Sequence, residues 1–220
     1  MTPDYNKAAT KAAETLIKFG VKAAPISPLP ILEQMENVIV TSFTDLSDSF
    51  GIRQQDLIPM FGANVDAVTS IHKEEGSTKY VVAYNNILPF SVIQRALARE
   101  MGHIVLKHEG TSQENSEEAL CFARHLLCPR PLIHAVQSTG IRVTKDLVAN
   151  LTGIFEQTMV GLRRTPGTDV PAGTNNFVRR QFMPFVISIF DYYRSRMIHD
   201  GSALADFGTY MDFYKDLEGS

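Results

Sequence analysis

The sequence predicts an α+β fold: a few strands in the first half of the chain, helices through the rest, and no β-α-β alternation. Three observations carry this. The segment "NVIVTSF" (37–43) is β-branched and alternating. The stretch "DAVTSIHKEEGSTKYVVAYN" (66–85) sets two alternating runs around the turn-like "EEGS", which makes an antiparallel hairpin with strands of about six residues. From Phe90 onward apolar residues recur at helical spacing.

The elements follow in order. "MTPDYNKAATKAAETLIKFG" reads as a capped amphipathic helix, with Thr2 as N-cap, Pro3 at the first position and Gly20 closing it. "APISPLPILEQM" is a proline-punctuated connector into a short helix. After the first strand, "TDLSDSFGIRQQDLIPMFG" gives two short helices broken at Gly51, with Thr44 and Asp45 offering a cap. Beyond the hairpin, Pro89 opens a helix from Phe90 to Lys107, whose apolar positions include Val92, Ile93, Ala96, Leu97, Ile104 and Val105. The loop "HEGTSQENS" leads to a second helix, "EEALCFARHLLC", stopped by Pro129 and Pro131. Past Gly140 the chain reads as helical, interrupted by "TPGTDVPAGTNN" (165–176), the best linker candidate. The expected organisation is a domain over 1–135 and a C-terminal helical extension over 136–220, whose aromatic "FVISIFDYY" is expected to pack on the core.

Composition narrows the function classes. With 44% hydrophobic and 20% charged residues among 220, the chain has the make-up of a globular protein. A net charge of -3 argues against a dedicated nucleic-acid binder. No run approaches the ~20 apolar residues of a membrane span, and the first helix lacks the apolar core of a signal peptide. Cys121 and Cys128, seven apart on one helix, would lie roughly 10 Å from each other, too far to bridge. The expectation is a cytoplasmic protein with reduced thiols and no membrane partner.

One stretch carries chemistry: "ALAREMGHIVLKHEG" (96–110). In a His-Glu-x-x-His helix, imidazoles at i and i+4 share a face, roughly 6 Å apart at Cβ, and one metal bridges them while the Glu serves as general base. Here Glu100 and His103 hold the base and second-ligand positions, and Arg99 stands at the first. A guanidinium has no lone pair to give and repels a dication. Taken alone, "EMGH" is equally an amphipathic helix with a polar edge.

The wider pattern resembles the ImmA/IrrE family of metallopeptidase-like proteins of phages, integrative elements and bacterial stress regulation. That family's core helix is similar to "TLAHELGHIVLGH", where this chain has "ALAREMGHIVLKH". Its next helix is similar to "EEEADCFARNLLCP", where this chain has "SEEALCFARHLLCP". The hairpin and "LPFSVIQR" resemble the strands and helix start that precede them, so the likeness covers roughly residues 5–165. The resemblance implies a zincin-like core with a small antiparallel sheet packed on helices. It also implies Glu100 as general base and His103 as second zinc ligand. The third ligand falls three residues before Ala119, at Ser116, and Leu120 replaces a polar residue. Glu117 is an alternative ligand if the helix start shifts by one residue, but Arg99 and Ser116 then still leave too few ligands for a catalytic zinc.

His108, five past His103, falls about 140° around a continuing helix, at the surface or behind the metal shell. Cys121, His125 and Cys128 share a face that reads as core. His72, His134 and His199 have no evident role. No nucleophile elbow and no phosphate loop occurs.

The expectation is therefore a regulatory protein of a phage or mobile element with a degenerate site. It would hold no cofactor and act by binding a protein partner, a repressor by the family's implication. Arg99 would fill the metal position and pair with Glu100 or Glu117. Two alternatives stay open. One is an active zinc metallo-endopeptidase that cleaves a repressor. The other is a DNA-binding regulator through residues 142–165, where "LTGIFEQTMVGLRR" could form a helix–turn–helix or simply pack.

Overall fold

The computed structural model describes residues 2–62, 65–74, 76–110, 112–141, 143–153 and 168–200, with the side chains of 193 and 196–200 excluded. Two compact units emerge, one comprising 1–12 and 27–126, the other 13–26 and 127–220. That division differs from a single cut after residue 135, because the second half of the first helix joins the C-terminal unit.

The first unit is a mixed α+β body. Its elements are the start of α1 (Tyr5–Lys18), α2 (Pro28–Glu33), β1 (Val38–Ser42), α3 (Phe43–Phe50), α4 (Gln54–Phe61), β2 (Ala67–Glu74), β3 (Ser77–Tyr84), α5 (Phe90–Leu106) and α6 (Gln113–Leu127). The strand order is β1-β3-β2. β2 and β3 form the expected hairpin, with Thr69 opposite Val82 and Ile71 opposite Tyr80. The sheet is nevertheless mixed and not wholly antiparallel, because β1 joins β3 in parallel, Val38 opposite Tyr80. The connection through α3, α4 and β2 is long enough for the crossover that a parallel pair requires. Central β3 carries the buried Val82 and Ala83.

Local chemistry sets the helix ends. Asp4, not Thr2, caps α1, accepting from the Lys7 N–H at 2.9 Å. At α3 a capping box uses Ser42 as N-cap and Asp45 at N3, so Asp45 acts from inside the first turn. Gly51 closes α3 in the left-handed conformation. α6 begins four residues earlier than its apolar pattern, because the Ser112 hydroxyl accepts from the Asn115 N–H at 3.1 Å.

α5 and α6 form the core beside the sheet. Leu97, Ala98 and Met101 of α5 and Ala119, Phe122 and Leu126 of α6 are almost fully buried. Gly102 makes the close approach possible: a Cβ there would lie 3.0 Å from the Ala119 backbone. Phe43 is buried under Phe61, the rings stacked at 5.4 Å and 5°.

The second unit is helical. Beyond its part of α1 it contains α7 (Arg130–Gln137), α8 (Lys145–Thr152) and α9 (Ala172–Asp200). Pro131 sits in the first turn of α7, where its missing N–H is no loss, so it starts a helix as well as ending one. α9 begins at Ala172, inside the stretch expected to be a linker. Leu132 and Val136 of α7 and Val178, Phe182 and Val186 of α9 are buried. Gln181 donates to the carbonyls of Leu16 and Val21, which lie at and just past the end of α1. Of the segment 142–165, the candidate DNA reader, residues 143–153 are described and the rest lies outside the described residues. No described helix is long and apolar enough to cross a membrane.

Candidate functional site

β2, α5 and the start of α6 enclose a cleft of about 680 Å³, lined among others by Thr69, Arg95, Arg99, Glu100, His103 and Ser116. α5 presents two faces that the sequence separates cleanly. Leu97 and Met101 point into the core, while Arg95, Arg99 and His103, spaced by four, line the cleft.

Glu100 is 5% exposed, yet both its oxygens are engaged. Oε2 accepts from the Thr69 hydroxyl at 2.8 Å. Oε1 accepts from Arg99, at 3.1 Å from Nη2 and 3.4 Å from Nε. The Arg99 side chain itself is half exposed, so its guanidinium joins a buried carboxylate to the open cleft. Of the two expected partners, Arg99 takes Glu100 and not Glu117.

His103 lines the same cleft, and its partner is His108, which stands behind it and not at the surface, although no continuing helix takes it there. His108 is not part of a continuing helix: α5 ends at Leu106, and Lys107 adopts the left-handed conformation at φ 58°. The N–H groups of Lys107 and His108 return to the carbonyls of Ile104 and His103, closing a Schellman turn with lysine where glycine is usual. The turn carries the His108 imidazole back, buried, to meet His103 Nδ1 to Nδ1 at 3.1 Å. His108 Nε2 faces Glu118 at 3.1 Å, and the other Glu118 oxygen accepts from the Asp4 N–H at 2.8 Å. A carboxylate beside Nε2 demands a proton there. In the neutral pair His108 Nδ1 therefore accepts from His103 Nδ1–H, and His103 keeps a lone pair on Nε2. Burial, then the neighbouring His108 and Arg99, push the His103 pKa down to about 4.

The remaining donors do not complete a zinc site. Ser116 does line the cleft, but its hydroxyl donates to the Ser112 carbonyl at 3.0 Å. Glu117 is absent from the cleft lining: its carboxylate accepts from the Tyr5 hydroxyl at 2.6 Å and the Gln113 amide at 3.0 Å. Those bonds, Tyr5 first, hold its pKa below the usual range, and the same bond raises that of Tyr5. The shift in helix start that would have offered Glu117 does not occur, since the Ser112 cap fixes the phase with Ser116 toward the cleft. With arginine at the position expected for a first ligand, serine at the one expected for a third and the Glu100 oxygens already engaged, the residues do not fit a catalytic zinc. Among the described residues no three His, Cys, Asp or Glu converge as metal ligands. Cys121 and Cys128 are buried, and burial lifts the Cys128 thiol to about 11, as befits core positions and not a thiolate site.

Thr69 was not among the residues that the sequence pointed to; His108 was expected at the surface or behind the metal shell, and Glu118 only as an alternative to Glu117 as a ligand in the active-peptidase reading. Thr69 reads only as a strand residue, and nothing local ties it to position 100. For His108 the one signal was the polar stretch after Leu106, without a glycine at the turn itself.

Compared with protein-family models, curated proteins and solved structures, the chain matches none.

Proposed function

We propose that this chain is an ImmA/IrrE-like regulatory protein whose cleft binds a partner regulator and does not hydrolyse it. The observation that carries this reading is the Arg99–Glu100 pair. A permanent cation occupies the metal-ligand position and rests on the carboxylate that would otherwise activate water. With Thr69 on the second oxygen and Arg99 on the first, both carboxylate oxygens of Glu100 already accept hydrogen bonds from the protein.

Binding has its own surface. β2 lies at the edge of the sheet and flanks the cleft, and among the described residues no strand pairs with its outer side. An extended segment of the partner, a repressor in this reading, would add to that edge through main-chain hydrogen bonds while its side chains enter the cleft.

The test is the zinc content of protein purified without chelator and then offered zinc, beside an Arg99→His, Ser116→Glu double variant. The expected result is an empty wild type and a variant that fills, since both substituted positions line the cleft. Stoichiometric zinc in the wild type that survives dialysis would overturn the reading and return the active endopeptidase to first place.

A further inference from the structure

We infer that the cleft selects an extended segment bearing two acidic side chains two residues apart, with Arg95 and Arg99 as their receptors. This rests on the proposed reading of β2 and its cleft as a partner-binding site, and it names the chemistry of the partner.

The first support is alignment. Contacts step along β2 and α5 in the same direction: Asp66 lies 3.7 Å from Arg95, Thr69 bonds Glu100, and Lys73 bonds Glu109 just past the end of α5. The strand and helix therefore run side by side, and a segment added along β2 also runs along the row of Arg95 and Arg99. The second support is spacing. Four residues of helix rise about 6 Å, and two residues of strand advance about 6.6 to 6.8 Å. Alternate side chains on one face of an added strand thus match the arginine repeat nearly one to one.

The third support is the state of the two guanidiniums. Arg99 is anchored through Nε and Nη2 on a buried carboxylate, so its plane is fixed, and Nη1 has no bond among the described residues. Arg95 is 46% exposed and its contact with Asp66 at 3.7 Å exceeds hydrogen-bond length. Both arginines have donors to give. Of the acidic groups nearby, Glu100 is buried and engaged, and Glu109 is bonded to Lys73. Among the described residues Asp66 competes for Arg95 and Glu100 holds Arg99 by Nε and Nη2, which leaves Nη1 for a ligand.

The experiment uses fluorescein-labelled Thr-Val-Glu-Val-Glu-Val-Thr with an amidated C-terminus and its Gln-for-Glu counterpart bearing the same label, so that the two probes differ in charge only at the two side chains. Binding to the full chain is read by fluorescence anisotropy. The Glu peptide is expected to bind about tenfold more tightly, with the difference shrinking in high salt. In Arg95→Gln, whose loose ion pair makes the fold insensitive to its loss, the difference should fall severalfold. Arg99→Lys keeps a cation on Glu100 but removes the fork, and should reduce the difference as well. Equal binding of the two peptides by the wild type would overturn the charge selection and leave the edge-strand reading standing. No binding of either peptide would overturn both. Displacement of the Glu peptide by a short dT oligonucleotide at equal charge would also overturn it, marking a general polyanion surface.

Discussion

His103 and His108 share a 3.1 Å contact between their Nδ1 atoms because Lys107, between them, takes a left-handed backbone conformation. The contact gives the cleft a neutral imidazole whose second nitrogen is free to accept, fixed from behind by Glu118.

The depressed pKa of His103 has a signed consequence. Unfolded, the residue protonates near 6.5; folded, only near 4. Its contribution to stability is complete above about pH 6.5 and is lost as the pH falls toward 4, because the unfolded chain binds the proton first. Allowing for partial exposure, the loss is on the order of 2 kcal/mol. Urea midpoints between pH 7 and 4.5 should fall in this window. His103→Gln should flatten the limb, and His108→Gln should raise the His103 pKa seen by NMR without restoring it fully, since burial is the larger cause.

Thr69→Val removes the hydroxyl that donates to Glu100 and keeps the β-branched shape. A buried carboxylate with one donor fewer should cost about 1 to 2 kcal/mol, measured by chemical denaturation. An unchanged midpoint would mean that water replaces the hydroxyl at no loss.

Gly102→Ala should destabilise, although alanine is the better helix former by about 1 kcal/mol. The new methyl would meet the Ala119 backbone at 3.0 Å, contacts that cannot yield without moving α6. A net loss of about 1 to 3 kcal/mol is expected, and a rise in melting temperature would contradict the close approach.

Ser42→Ala breaks the capping box at the end of β1 and should lower stability by about 1 kcal/mol. Ser42→Asp should recover part of it, as an N-cap acceptor without the reciprocal hydroxyl donor to Asp45.

The sequence made some of this legible and concealed the rest for physical reasons. Alternation marks β1, β2 and β3 because a half-buried strand must alternate, but the pattern says nothing about which strand lies beside β1, so its parallel partnership with β3 was hidden. The α5 faces and its end at Lys107 were legible in the sequence, whereas the turn that carries His108 back was not, because lysine at the left-handed position gives no signal of the kind glycine gives. The start of α6 was misplaced because capping, not hydrophobicity, begins it; Ser112 decides that Ser116 and not Glu117 faces the cleft. Arg99, Glu100 and His103 were picked out by spacing along one helix, and they do meet in one cleft. Thr69 reaches Glu100 directly and Glu118 reaches His103 through His108, from other elements, which only the fold brings together.

The rim of β2, which no strand pairs among the described residues, also bears on how the protein behaves when concentrated. Any ladder able to receive a foreign strand can receive the same strand from another copy, and such zipping is the start of aggregation. The chain limits it at one end of the rim: His72, Lys73 and Glu74 are exposed, and the latter two carry charge into any copy that tried to align. That leaves the stretch from Ala67 to Ile71 as the part open to self-pairing. Exchanging Ile71, 38% exposed, for lysine should raise the concentration at which the protein stays monodisperse.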